Sequence, residues 1–316
     1  MAESAATEKT LSNEFCKTLG RKIGARKILV NEPLSKHTTF KIGGPADALV
    51  LPSSVEDVRA IVETCRSFNI RWHVMGLGSN LLVADEGLCG CVIKLGSAFS
   101  TIEIASNTLI ACAGASNEQV AAAAQKAGLS GYEFASGIPG SIGGAAIMNA
   151  GAYGGEFKDV ADSVLCLTEE GQLCEISATD ASWSYRHSMM GEANMIVLKA
   201  TLRLREDDPA SIQSRMDDLT TRREAKQPLE MPSAGSTFKR PKGYFAGKLI
   251  QDAGMQGYRV GGAEVSRKHA GFVVNAGNAT ASDVLQLIKD VQKRVFALSG
   301  IGLEPEVRMW GFDEKD

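Results

Sequence analysis

The sequence predicts an α+β protein of two or three packed units, and three observations carry that prediction. The chain has 316 residues, more than one ordinary core organises. Stretches of helical and of alternating apolar spacing follow one another with no fixed repeat. Its 33 glycines are clustered rather than scattered, so the backbone turns sharply or approaches something closely at defined places.

From the N-terminus, residues 1–13 are polar, without the basic-then-apolar order of an export signal, and read as a frayed tail on a cytoplasmic chain. Residues 46–52 form a short apolar strand candidate leading to Ser53 and Ser54, which with Glu56 and Asp57 behind them make a helix cap. Val55, Val58, Ile61, Val62, Cys65 and Phe68 then recur at helical spacing, and residues 70–75 read as a buried strand ending at Gly76, which completes a β-α-β unit. Residues 91–95 are a further strand, and 101–104 with 109–113 are the arms of a hairpin around a polar turn. A helix over 118–127 is followed by a second hairpin, 163–168 and 172–176 around Glu169, Glu170 and Gly171, and by a half-buried strand over 195–204. Residues 207–227 are strongly charged, keep helical spacing over 211–226 and stop at Pro228 and Pro232, so a domain boundary is placed there. The last long helix runs from a cap at Thr280 or Ser282 to Gly300, with Val284, Leu287, Ile288, Val291, Val295 and Leu298 as its apolar stripe.

Composition excludes several roles. No apolar run approaches the length needed to cross a bilayer, so no membrane is expected as a partner. A net charge of -3 offers no basic face for nucleic acid. Seven cysteines, none in a CxxC pair or at zinc-ligand spacing to a histidine, read as reduced thiols, and no metal is expected. His37, His73, His187 and His269 are dispersed, and none is assigned a chemical duty.

Five segments could carry chemistry. Residues 74–83 run from a strand into Gly76, Gly78, Ser79 and Asn80; successive amides in such a turn can hold a phosphate, although a lone Gly-x-Gly-Ser is more often a plain surface turn. Residues 136–155 hold Gly137, Gly140, Gly143, Gly144, Gly151, Gly154 and Gly155. Each glycine in ordered structure costs about 0.5–1 kcal/mol relative to alanine, so something offsets that density, and a long pyrophosphate-bearing ligand along the backbone would do so. The competing explanation, a glycine-rich solenoid corner, lacks the sequence period it needs. Neither loop has the dinucleotide GxGxxG context or a Walker GxxxxGK[ST], which favours a flavin dinucleotide held by a different fold over NAD or ATP. Arg186, among Trp183, Tyr185 and His187, can grip a carboxylate bidentately, or be an ordinary exposed arginine. Ser236 follows Gly235 at the start of the third unit; with no nucleophile elbow it is a turn-capping serine or a proton donor. Glu304 and Glu306 alternate with Pro305 and Val307 on an expected edge strand, which puts both carboxylates on one face.

Taken together, these segments resemble the UDP-N-acetylenolpyruvoylglucosamine reductase family from about residue 31 to 310. The resemblance rests on Thr38-Thr-Phe-Lys-Ile-Gly-Gly-Pro-Ala46, Gly76-Leu-Gly-Ser-Asn80, Gly137-Ile-Pro-Gly-Ser-Ile-Gly-Gly144, Ser184-Tyr-Arg186, Ala234-Gly-Ser-Thr-Phe-Lys239 and Leu303-Glu-Pro-Glu-Val-Arg308, in that order. It implies an α+β fold with two FAD-binding subdomains of the vanillyl-alcohol-oxidase type plus a C-terminal substrate-binding domain. The implied division is 1–85 joined by 304–316, then 86–222, then 223–303. Segment lengths resemble the shorter type II subgroup.

The activity so implied has two half-reactions. NADPH, a co-substrate, passes hydride to non-covalent FAD, and the enolpyruvyl group of a UDP-sugar then receives it to give UDP-N-acetylmuramate for peptidoglycan. By the same resemblance Arg186 binds the substrate carboxylate, Glu306 sits protonated beside it, raised by burial, and Ser236 gives a proton to the carbanion. The cofactor residues carried over are Gly76, Gly78, Ser79, Asn80, Gly137, Ile138, Pro139, Gly140, Ser141, Gly143 and Gly144, with Arg203 and Arg308 on polar groups. Tyr153, Lys239 and Arg240 are carried over to the nucleotide-sugar; the sequence has Lys-Arg-Pro at 239–241 where many relatives have Lys-Asn-Pro. A monomer or weak homo-oligomer is expected. An FAD-dependent alcohol or sugar oxidase of the same superfamily and a non-catalytic FAD sensor are the alternatives, and neither needs Arg186, Ser236 and Glu306 together.

Overall fold

The computed structural model describes residues 13–312, so the polar tail read from the sequence lies, but for Asn13, outside the described residues. The chain divides into two compact units that take alternating pieces: residues 13–32, 46–77 and 89–220 form the first, and 33–45, 78–88 and 221–312 the second.

The first unit is built on two sheets. One has the order Ile28–Pro33, Pro45–Val50, Leu88–Lys94, Trp72–Met75, and its last two strands run parallel with Trp72 opposite Cys91. The expected crossover helix is Val55–Ser67. It begins at Ser54, whose side chain accepts from the Asp57 N–H, and it buries Val58, Ile61, Val62 and Cys65. Its end explains a small shift from expectation. Asn69 sits at φ 54 and the Ile70 N–H closes back onto Cys65 O, so residue 70 finishes the helix and the strand starts at Trp72. The other sheet is antiparallel, in the order Leu173–Ser177, Ala161–Leu167, Ile196–Arg203, Thr108–Cys112, Ile102–Ala105. Both hairpins expected from the sequence are in it. Leu109, Ala111, Val164, Cys166, Leu198, Ala200 and Leu202 are buried on this sheet, and each larger aliphatic chain so buried contributes about 1.5–3 kcal/mol.

The second unit has its own core. The antiparallel sheet Ser233–Ser236, Phe272–Asn275, Ala263–Val265, Arg259–Val260 packs with the Ala281–Ser299 helix, which buries Val284, Leu287, Ile288, Val291 and Val295. A Thr280–Asp283 capping box starts that helix and Gly300, at φ 70, ends it. Leu298, expected in the stripe, is exposed, so the apolar face stops a turn before the helix does. Arg308–Trp310 pairs in parallel with Leu81–Val83. No helix among the described residues is long and apolar enough to cross a membrane.

Candidate active site

In the first unit the two glycine motifs pack on each other. Gly76 ends the Trp72–Met75 strand, and a Cβ there would stand 2.0 Å from the Ser141 Oγ. Gly143 is confined less tightly, with Ala113 Cβ 3.0 Å from where its own Cβ would be. The loop 136–141 turns at Gly140, whose φ of 143 suits glycine, and leads into the Ile142–Met148 helix. The Ile142 and Gly143 amides are taken by the carbonyls of Ala115 and Ala113, which fastens this helix to the strand end beside it. Gly144 differs: it is exposed, in a helix, and the nearest atom its Cβ would meet is Ser141 Oγ at 3.9 Å. Packing therefore does not account for a glycine at 144. At the start of the loop, the Ser136 Oγ is buried with no hydrogen-bond partner.

Sequence reasoning missed what holds this loop. Asn117, at the start of the Asn117–Lys126 helix and 1 % exposed, donates its backbone N–H to Gly140 O (3.0 Å) and its Nδ2 to Ile138 O (3.2 Å). Its Oδ1 accepts from the hydroxyl of fully buried Tyr132 at 2.8 Å. It also missed a cleft of about 430 Å³ lined by Leu77, Ser97, Gly114, Ser116 and Glu118. Ser116 is bridged to Ser141, so the cleft adjoins the loop. An asparagine following a capping serine reads as part of a helix start, and no spacing signal separates it from one.

Arg186 sits in the same unit at the tip of a tight turn closed by Ser184 and His187, with φ 57. A left-handed arginine costs of order 1–3 kcal/mol and is held only where its surroundings require it. Those surroundings include the Asn149 side chain, which donates to Ser184 O and to the Glu156 carboxylate. Glu156 is held below the usual carboxylate range by Lys158 and Asn149, aided by the Arg186 charge. The guanidinium stands 5.1 Å from the Tyr185 ring. Tyr153 is exposed at the turn between Gly151–Ala152 and Gly155–Glu156, at φ 53. Arg203 lies exposed at the end of Ile196–Arg203, bonded to Thr108 Oγ1 (3.0 Å) and Asp162.

The second unit brings four of the sequence motifs into one knot of backbone. The Thr39 N–H donates to Gly78 O, and the Thr39 hydroxyl to Ser233 O at 2.6 Å. The Asn80 carbonyl accepts from the Arg308 N–H, while its Nδ2 donates to Glu306 O at 3.1 Å. The Glu306 N–H donates in turn to Thr237 O (2.8 Å), and the Lys239 N–H to Glu304 O (2.9 Å). Ser236 and Glu306 thus lie on neighbouring segments, joined at the residue after the serine. Ser236 is exposed at the end of its strand, past a register break where Gly235 takes φ 74. Ser79 lies between Gly78 and Asn80 in the same segment.

The expected strand over 304–307 is only a bridge between Pro305 and Phe238, because proline has no N–H to continue a ladder; the strand proper begins at Arg308. Lys239 pairs with the exposed Glu304 at 3.1 Å. Arg240 stacks over the Phe245 ring at 4.0 Å and donates from Nε to Tyr244 O, a pairing that the sequence did not suggest.

Comparison with known proteins gives the family this chain resembles. Residues 227–310 match the family described as UDP-N-acetylenolpyruvoylglucosamine reductase, C-terminal domain, and residues 46–177 match an FAD binding domain. A UDP-N-acetylenolpyruvoylglucosamine reductase from Syntrophomonas wolfei is 48% identical over 285 residues, which is 90% of this chain and 95% of that protein. One from Agathobacter rectalis is 49% identical over 313 residues, 95% and 99% of the two chains. The crystal structure of UDP-N-acetylenolpyruvylglucosamine reductase (MurB) from Thermus caldophilus is similar with a TM-score of 0.78 at 35% identity, covering 90% of this chain and 98% of its own.

Proposed function

The chain belongs to the UDP-N-acetylenolpyruvoylglucosamine reductase family, and from that membership we propose which of its residues carry out the reduction. The protein is an oxidoreductase that uses FAD and NADPH to reduce the enolpyruvyl group of UDP-N-acetylenolpyruvoylglucosamine, giving UDP-N-acetylmuramate for peptidoglycan. Work in the cytoplasm and service to cell shape and division are part of the proposal, since they follow from that product's place in the wall.

The first unit's loop fits a flavin dinucleotide. The bare surface at Gly144 and the buried, unpartnered Ser136 hydroxyl are features that a ligand lying along the backbone explains and packing does not. Gly76, residues 137–141, Gly143, Gly144 and the Arg203 side chain would hold it in this unit; Gly78, Ser79, Asn80 and Arg308, on the second unit, are assigned to FAD from family membership alone. When bound, FAD supplies the hydride that NADPH has given it.

The chain's own residues must then stabilise charge. Hydride arriving at the enolpyruvyl C3 builds negative charge at C2 and over the carboxylate. Arg186 grips that carboxylate bidentately. Ser236 gives its hydroxyl proton to C2, which a poor acid can do because a carbanion is a far stronger base. Glu306 hydrogen-bonds beside it. Tyr153, Lys239 and Arg240 engage the nucleotide-sugar. The observation that supports this reading best is the Glu306–Thr237 backbone bond, which sets the glutamate next to an exposed serine whose strand ends in a glycine kink.

The test separates the half-reactions by anaerobic stopped flow. Ser236→Ala is expected to leave NADPH bleaching of the flavin unchanged and to slow re-oxidation by the enolpyruvyl substrate by roughly 10²–10⁴-fold. Equal slowing of both halves would remove serine from the proton-donor role. Rapid re-oxidation by oxygen, with indifference to the nucleotide-sugar, would favour an oxidase.

A further inference from the structure

We propose that Asn117, backed by Tyr132, is a positioning residue that sets the shape of the glycine loop for flavin binding; the inference rests on reading that loop as the FAD cradle. The loop has neither helix nor strand between Ser136 and Ser141, and Pro139 brings no N–H to it. Its carbonyls therefore need partners from elsewhere in the chain. Asn117 supplies two of them from one residue, its side-chain amide to Ile138 O and its backbone N–H to Gly140 O. Ile138, Pro139 and Gly140 are so pinned on both sides of the proline.

Asn117 is itself fixed. It stands within the Ser116–Gln119 capping box, so the helix start that carries it is locked by two reciprocal bonds. The Tyr132 hydroxyl fills its remaining acceptor and orients the amide, so that nitrogen and not oxygen faces the loop. Burial pushes the Tyr132 phenol up, which keeps its proton on and the donor in place. Tyr132 also directly precedes the Glu133–Ala135 turn that feeds into the loop, so residues 132–138 and Asn117 close a ring. A buried polar pair in a core needs only to satisfy itself. This one spends its bonds on the carbonyls of an irregular loop that leads into the Ile142–Met148 helix, where the surface at Gly144 is bare. Preorganising a cradle reduces the ordering cost of binding, so loosening it appears in ligand release.

Three variants and two readouts test this. Asn117→Leu keeps the shape and removes every side-chain bond, Tyr132→Phe removes one oxygen, and Val120→Ala cuts the buried core of the same helix without touching the loop. The readouts are the rate of flavin release from the holoenzyme, followed by flavin fluorescence, and the melting temperature. Asn117→Leu is expected to speed release at least about tenfold, the equivalent of one buried hydrogen bond, and Tyr132→Phe about threefold. Val120→Ala is expected to lower the melting temperature with release unchanged. Wild-type release from Asn117→Leu overturns the proposal, as does release from Val120→Ala that rises in step with lost stability. Should Asn117→Leu fail to fold, wild-type release from Tyr132→Phe overturns it. A wild-type protein that holds no FAD would instead overturn the cradle reading beneath it.

Discussion

The loop 136–141 of the first unit and the segment 304–307 of the second are both irregular backbone at candidate functional positions, yet they are held by different means. The loop is held from one buried residue: Asn117 gives its side-chain amide to Ile138 O and its backbone N–H to Gly140 O, and Tyr132 orients the side chain. The 304–307 segment and Arg308 after it are held mostly by main chain, through Thr237, Lys239 and Asn80, with side-chain bonds from Asn80 to Glu306 O and from Lys239 to the Glu304 carboxylate. A loop that must keep an open face for a ligand has few neighbours on that face, so it is fixed from behind by a buried polar residue. A segment that must present one carboxylate can be clamped as a short ladder on both sides. Perturbing the first should therefore alter what is bound, and perturbing the second should alter what is done to it.

The largest effect expected belongs to the second region. Glu306→Gln keeps the backbone bonds to Thr237 and Asn80 and changes only the carboxyl, so substrate reduction should fall by roughly 10²–10⁴-fold, while flavin content and NADPH bleaching stay at wild-type levels. Loss of flavin on purification would break the comparison, because it would make this segment a cofactor holder first.

A smaller effect belongs to the loop. Gly140 sits at φ 143, and an alanine there is strained by about 1–3 kcal/mol. Gly140→Ala should lower the melting temperature by several degrees, at about 2–4 °C per kcal/mol, and weaken flavin retention. Turnover per bound flavin should not change, and calorimetry with flavin-normalised kinetics checks both. A fall in turnover per flavin would mean that the loop also shapes the chemistry.

These two regions were unequally legible in the sequence. The glycines of the loop announce themselves by their density, and Gly140 by a φ of 143 that few other residues adopt, while both hairpins and the Val55–Ser67 and Ala281–Ser299 helices follow from periodicity and caps. Ser236 and Glu306 stand out in their own segments, but their roles come from resemblance to a family and not from spacing. What sets them on neighbouring segments is a bond between residues 237 and 306, and such long-range pairing leaves no local pattern. Asn117 was hidden for the same reason: a polar residue beside a cap is ordinary, and only the distant carbonyls it reaches give it a role. The 304–307 stretch was read as a strand from its alternation, and Pro305 limits it to a bridge.

The smallest effect concerns how the loop is anchored at its other end, and it is read as a pH dependence. Glu133 opens the turn before the loop and accepts from the Ser130 hydroxyl (2.9 Å), the Gly131 N–H (2.7 Å) and Arg215 (2.8 Å), which also pairs with Asp207. Burial pushes the Glu133 carboxyl up, but those hydrogen bonds outweigh it and hold it below its ordinary value of 4.5. The unfolded chain therefore binds this proton at higher pH than the folded one. The contribution to stability is present in full above the unfolded value and is lost as pH falls through the folded one. Between pH 5 and 3 the wild-type melting temperature should fall more steeply than that of Glu133→Gln, by about a degree or two, although the variant starts lower at neutral pH. Parallel curves would mean that the Glu133–Arg215 contacts add nothing to the stability of the fold, and would leave Asn117 as the anchor that matters for the loop.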